Sequence, residues 1–402
     1  MQPTANDPVI TVLDSVDELG DAQWSALAGG RGFYASAPWH RFLESDPSHD
    51  AWYVVARQPD GLLVGVLPVY LHAGGPGGGV DRFYDPRVVF ACEEPDLPSA
   101  TMLLGGRAGY ETQLLLRPGL DAGSRARVLV ALVARCRMLA GAWAADGLAS
   151  MYLTSAAAVE LAPALAAGEP LITDVNAVIA LDGLESLDGY LKSLSRHRRQ
   201  RIAREIRDFE ASSFVLRTGR LSESYELAGG LLAALHRRHG HADTPEILVG
   251  HLARQVAHLD ELSRVIVCER AGVAVGFLLA YEWEGAWYAR ATGLADGLPG
   301  ASSVLFNVAY YAAIREALER GMRSYDVGPS SLKTKLLRGA RLQPRWSLVD
   351  VDGLTAVTGA AWNTAQLARW DAELAPMHRP VAAGWRRSAG LAPDAAGVPA
   401  TL

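Results

Sequence analysis

The stretch SYDVGPSSLKTKLLRGA, Ser324 to Ala340, gathers an acid, two lysines and an arginine around one turn. Asp326 stands in a short strand-like run, Gly328 and Pro329 break it, and Lys333, Lys335 and Arg338 follow before Gly339. A carboxylate with ammonium and guanidinium neighbours suits two tasks. The acid takes a proton from a reacting group, and the cations hold an anionic group or steady a developing oxyanion. The competing reading is a strand-capping acid beside a solvated basic turn. Glu282, at the end of an earlier strand, is a second acid with the same two readings.

The segment LHRRHGHADTP, Leu235 to Pro245, brings His236, His239, His241 and Asp243 close in sequence. Their spacing matches no strong metal motif, so no metal is assigned. His241 stands as a general base and His239 as a substrate contact, against a surface loop that merely shapes the acceptor site. Further upstream, Arg196, Arg198, Arg199, Arg201, Arg204 and Arg207 spread around one helix. That helix either docks tRNA or an acidic carrier protein, or is a solvated helix paired with Glu205 and Asp208. GGPGGG lacks a following helix start and a lysine, and GPSSLKTK lacks the glycine before its lysine, so neither is a phosphate loop. Trp283, Trp287, Tyr310 and Tyr311 read as core rather than as a stacking platform, with Tyr310 or Tyr311 as the residue to line an acyl channel if there is one.

These residues hang on a pattern that occurs twice. WYVVARQPDGLLVGVLPVY (Trp52 to Tyr70) and RVIVCERAGVAVGFLLAY (Arg264 to Tyr281) each predict a β-hairpin. A long helix follows in each half, about Ser124 to Ala145 and about Ser302 to Arg320, with Gly147 and Gly321 as stop signals. A strand then closes each copy: ADGLASMYLTS in the first, ERGMRSYDVGPS in the second. The order predicts an α/β (α+β) chain of two related domains, each a mixed central sheet flanked by helices, with residues 1–172 and 173–352 as the domains and 353–402 as a helix and disordered tail. LAPALAAGEP is the linker, and a basic helix runs on from Ser186 with Tyr190, Leu194, Ile202, Ile206 and Phe209 as its apolar positions. HAGGPGGGV and FACEEPDLP read as loops, and Pro376 and Pro380 interrupt the tail helix.

Composition narrows the partners. The 402 residues carry a net charge of -6, which offers no overall attraction to nucleic acid or acidic membranes, so any such contact must be local. Cys92, Cys136 and Cys268 are odd in number and far apart, and read as buried thiols of a cytoplasmic protein. No export signal and no membrane span is expected.

The second half resembles the acyltransferases of the GNAT superfamily, in particular the tandem GNAT-like proteins labelled as peptidoglycan biosynthesis proteins, similar to the Fem-type aminoacyl transferases. The resemblance rests on YLKSLSRHRRQRIAREIRDFE, GVAVGF and GMRSYDVGPSSLKTKLLRGA, and in the first half on FYASAPWHRFLES, VGVLPVYL and FYDPRVVF. It implies that the lysine of a K-x-x-x-G turn, here Lys335 with Gly339, sits by the donor or acceptor. It also implies a phosphate-cradling loop at DGLPGASS, with Arg290, Gly297, Gly300, Ser302, Lys333 and Arg338 as donor-binding positions. The expected reaction forms an amide from an amine and an acyl thioester, on coenzyme A or a phosphopantetheinyl carrier protein. Aminoacyl-tRNA is the alternative donor, and a non-catalytic GNAT-like binding module is the alternative to an enzyme.

Overall fold

The computed structural model describes residues 7–73, 83–90, 100–298, 300–351, 354, 359–375 and 381–391. The expected loops at GGPGGG and FACEEPDLP, Cys92, the prolines 376 and 380, and the C-terminal residues from Ala392 lie outside the described residues. The chain divides into two compact units, residues 1–175 with 344–402, and residues 176–343.

The first unit runs β1 (Val9–Leu13), α1 (Gly20–Ala28), α2 (Ala37–Glu44), β2 (Ala51–Arg57), β3 (Leu63–Ala73), α3 (Pro86–Val89), β4 (Ala100–Leu104), β5 (Leu115–Leu116), α4 (Ala122–Ala142), β6 (Ala145–Leu153) and α5 (Ser155–Leu165). The strand β7 (Leu171–Ala180) leaves it at residue 175. The second unit continues with α6 (Leu187–Ser193), α7 (Arg196–Glu210), β8 (Phe214–Gly219), α8 (Tyr225–Arg238), α9 (Pro245–Leu259), β9 (Ser263–Arg270), β10 (Val273–Trp283) and β11 (Ala286–Leu294). Then come α10 (Ala301–Phe306), a π-helical turn (Asn307–Ala312), α11 (Ala313–Glu319), β12 (Ser324–Pro329), α12 (Leu332–Leu337) and β13 (Arg341–Val351), which re-enters the first unit at Pro344. α13 (Gly359–Leu374) and α14 (Ala382–Ser388) belong to the first unit.

Within the first unit the strand order is β1-β2-β3-β4-β6-β13-β7, with β5 beside β3 and the β4–β6 pair parallel. Trp24, Tyr53 and Leu63 are among the residues that close its core under α1 and α2. Within the second unit the order is β7-β12-β11-β10-β9-β8, antiparallel except for β11 with β12. Each unit is therefore a mixed sheet flanked by helices, as the doubled hairpin pattern predicts.

Two local readings change. The basic helix from Ser186 is two helices, because Leu194 is extended (ψ 158) and Ser193 turns its hydroxyl onto the Tyr190 carbonyl at 2.7 Å. Four of its five apolar positions are buried, Leu194 at the break being the half-buried one. The stop after α4 is Ala144, left-handed at φ 52, rather than Gly147. Gly147 instead lies in β6, where a Cβ would meet the Asp350 carbonyl oxygen at 2.1 Å, so a glycine is needed for the strands to approach.

Candidate active site

Asp326 sits where two parallel strands part. β11 and β12 pair only over Ala286–Tyr288 and Ser324–Asp326, so Tyr288↔Asp326 is the last rung. Both strands then bulge at the same level. Arg290 is skipped in the pairing of β11 with β10, and Val327 in the pairing of β12 with β7. Bulges bend and re-aim a strand, and two of them facing each other open a fork with a carboxylate at its apex.

Asp326 is 8% exposed and fully engaged through its two oxygens: the Gly328 amide donates to Oδ1 at 2.8 Å, and Asn176 Nδ2 on β7 donates to Oδ2 at 2.7 Å. Hydrogen bonds to a carboxylate favour its charged form. Asn176 is itself 1% exposed, and its Oδ1 has no hydrogen-bond partner among the described residues. An orphan buried acceptor beside a carboxylate is a receptor for N–H groups. Sequence reading missed Asn176; its signal was an amide side chain in the strand LITDVNAVIA, directly before the apolar run AVIA.

Lys335 closes the turn from the other side. It is 5% exposed, and its Nζ donates to the carbonyls of Gly328 at 2.8 Å and Pro329 at 2.5 Å. Gly328 thus donates its N–H to Asp326 and offers its carbonyl to Lys335, so the acid and the ammonium are joined through one residue. Between strand and helix, Ser330 and Ser331 are both left-handed (φ 65 and 49), a conformation that costs non-glycine residues of order 1 kcal/mol each. Lys335 supplies the bonds that hold this strained turn.

The remaining expected residues divide by location. Lys333 is exposed on α12. Arg338 is turned inward: 4% exposed, it pairs with Glu205 at 3.0 Å and lies 3.8 Å over the Phe306 ring and 4.9 Å over Tyr310. Tyr310 is buried in that same packing, and burial pushes its hydroxyl pKa up. Glu282 does not join Asp326. It is in register with Trp287 and Tyr325, while Asp326 is in register with Tyr288 and Tyr281, and adjacent strand residues face opposite sides. Glu282 instead pairs with Arg320 at 2.7 Å and Arg264 at 3.7 Å.

The histidine loop follows α8, whose Arg238 donates to the Leu294 carbonyl at 2.8 Å. Leu294 is six residues beyond Tyr288, about 20 Å along an extended strand, so His239 and His241 belong to the far end of β11 and not beside Asp326. His236 pairs with Asp243 at 2.7 Å, and its ring meets His241 edge-on. No group of three metal-ligating side chains occurs among the described residues. Gly297 and Gly300 are left-handed (φ 63 and 75) with open space around them, in the loop before α10. Ser302 is in the first turn of α10, its side chain outside the described residues. Cys136 and Cys268 are buried, and burial pushes their thiols up to about 12 and about 11.

The fold is that of a tandem GNAT protein. FemX superposes with a TM-score of 0.57 at 10% identity, covering 88% of this chain and 99% of its own. A tandem GNAT protein from the clavulanic acid biosynthesis pathway gives 0.52 at 15% identity, covering 86% and 99%. A conserved protein of unknown function from Bacteroides thetaiotaomicron gives 0.52 at 10%, covering 85% and 99%. The family model FemAB-like, described as peptidoglycan biosynthesis/recognition, matches residues 111–354, and the chain belongs to that family. No curated protein matches the sequence. Among the described residues no helix is long and apolar enough to cross a membrane.

Proposed function

We propose that the protein forms an amide, moving an acyl group from an activated donor to an amine at the fork between β11 and β12. The observation that carries this is the buried Asp326 at the last rung, with the orphan Asn176 Oδ1 beside it. An attacking amine needs acceptors for its N–H groups and a base for the proton it loses as the C–N bond forms. Asn176 Oδ1 and Asp326 fill those roles, and the Lys335 ammonium behind the Gly328 peptide favours negative charge developing on the acyl oxygen. The donor leaves as a thiol or as a nucleic-acid hydroxyl, taking up the proton that the amine gave.

For the donor we favour an acyl thioester, entering between the bulged strands with Arg290, Gly297, Gly300 and Ser302 along its path. Membership of the FemAB-like family favours a second reading, an aminoacyl-tRNA donor with an amine-bearing peptidoglycan precursor as acceptor. The basic helix α7 supports it, since the side chains of Arg196, Arg199 and Arg204 make no ion pair among the described residues.

Purified protein given labelled acyl thioesters and charged tRNA together separates the two by the label consumed. A tRNA donor should also lose rate steeply as salt rises, with a flatter slope once Arg196 and Arg204 are replaced by glutamine; a thioester donor should show little of either. Consumption of neither label, in folded protein offered both donors with amine acceptors, would leave the non-catalytic binding module as the reading.

A further inference from the structure

We propose that a recess between α7 and α12 binds a phosphate group. Its walls include His197, Arg198 and Arg201 of α7, and Arg338 just after α12, with Glu205 as the one acid among the lining residues. Glu205 is already committed, since it accepts from the Tyr311 hydroxyl, from Arg338 at 3.0 Å and from Arg201 at 3.1 Å. Three guanidinium groups against one carboxylate leave a net charge of +2 with His197 neutral. A phosphate monoester, near -2 at neutral pH, balances that excess, whereas a carboxylate leaves half of it.

The donors suit the ligand as well as the charge does. Arginine forks match phosphate oxygens two at a time. Arg338 is 4% exposed, and its Nε has no hydrogen-bond partner among the described residues. A buried donor left without an acceptor calls for an explanation, and an anion in the recess supplies one. The site is also tied to the lysine turn: Arg198 donates to the Leu336 carbonyl at 3.2 Å, next to Lys335. The inference stands apart from which donor the fork accepts, because it concerns binding and not turnover.

The phosphate could belong to a small ligand or to a polynucleotide backbone, and two titrations of the full chain separate these sources. Inorganic phosphate is followed by its phosphorus NMR line width, and a short single-stranded oligoribonucleotide by calorimetry, both at low salt. The variants are Arg201→Gln, which is largely exposed, and Arg207→Gln on α7 outside the recess. If the recess is the site, Arg201→Gln weakens phosphate binding by about tenfold or more, the worth of one charge-assisted hydrogen bond, while Arg207→Gln leaves it unchanged. If only the oligonucleotide binds, and only Arg201→Gln weakens it to that degree, the source is a polynucleotide. Absence of binding by both probes in the millimolar range overturns the proposal, as does equal weakening by the two variants, which would mean diffuse attraction along the helix. Unchanged thermal unfolding of both variants excludes a folding defect as the cause.

Discussion

Asp326 and Lys335 were legible as a carboxylate and a cation around one turn, because strand, Gly-Pro break and cations follow one another in sequence. Their geometry was not. That Lys335 reaches back to two carbonyls depends on the left-handed turn between them, and that Asn176 of β7 meets Asp326 across the sheet depends on pairing between residues 150 positions apart. The histidines show the converse: His239 and His241, read as a substrate contact and a general base, follow a helix whose last residue, Arg238, bonds the far end of β11. A residue no motif singled out, His40, carries a pH prediction. It is 1% exposed with Nδ1 2.8 Å from the Tyr70 hydroxyl, and burial holds its pKa down to about 3 from 6.5. The unfolded chain takes a proton below about 6.5 and the folded chain does not until about 3, so the stability His40 allows is full above 6.5 and is lost as pH falls through that window, by up to roughly 1.4 kcal/mol per unit. Urea midpoints from neutral pH down to about 5 should fall less steeply in His40→Gln than in the native chain. Parallel slopes would mean that His40 is protonated in the folded state.

Elements with a strong local period were read to within a few residues: both hairpins, α4, and the long helix through α10 and α11. What the pattern left out are the departures from regularity, and those shape the fork. The bulges at Arg290 and Val327 leave no mark in an alternation of apolar residues, since an extra residue looks like any other until its partner strand is known. The π-helical turn in Asn307–Ala312 is equally silent, yet it belongs to the packing that sets Tyr310 and Tyr311 around Arg338. β11 also depends on close approach of α8. A Cβ on Gly293 would lie 2.7 Å from the Leu231 carbonyl oxygen, which is backbone and cannot swing aside. Gly293→Ala should therefore push α8 off the sheet and cost about 1–3 kcal/mol, read as a lower thermal midpoint, together with weakened donor binding. An unchanged midpoint would show that the helix shifts freely there.

The chain as a whole repeats one plan, and the repeat was visible as two runs of hairpin, helix and strand. The re-entry of β13 into the first unit has no local signature, because it is decided by pairing with β6 about two hundred positions away. It has a consequence for folding. Trp346 and Ser347 are fully buried in that unit, and Asn363 of α13 bonds the Ile172 amide at 2.8 Å. A chain ending at Gln343 should lose the protease resistance of residues 7–175 while a resistant core within 176–343 persists; an equally resistant first unit would contradict that dependence. The central claim, acyl transfer at the fork, is tested most directly by label transfer in the full-length chain with Asp326→Asn, using the donor that the native protein consumes and checking folding by circular dichroism. Loss of rate by roughly a hundredfold or more, in protein that remains folded and binds the donor as before, is the result expected for a lost base. Transfer at the native rate would contradict it.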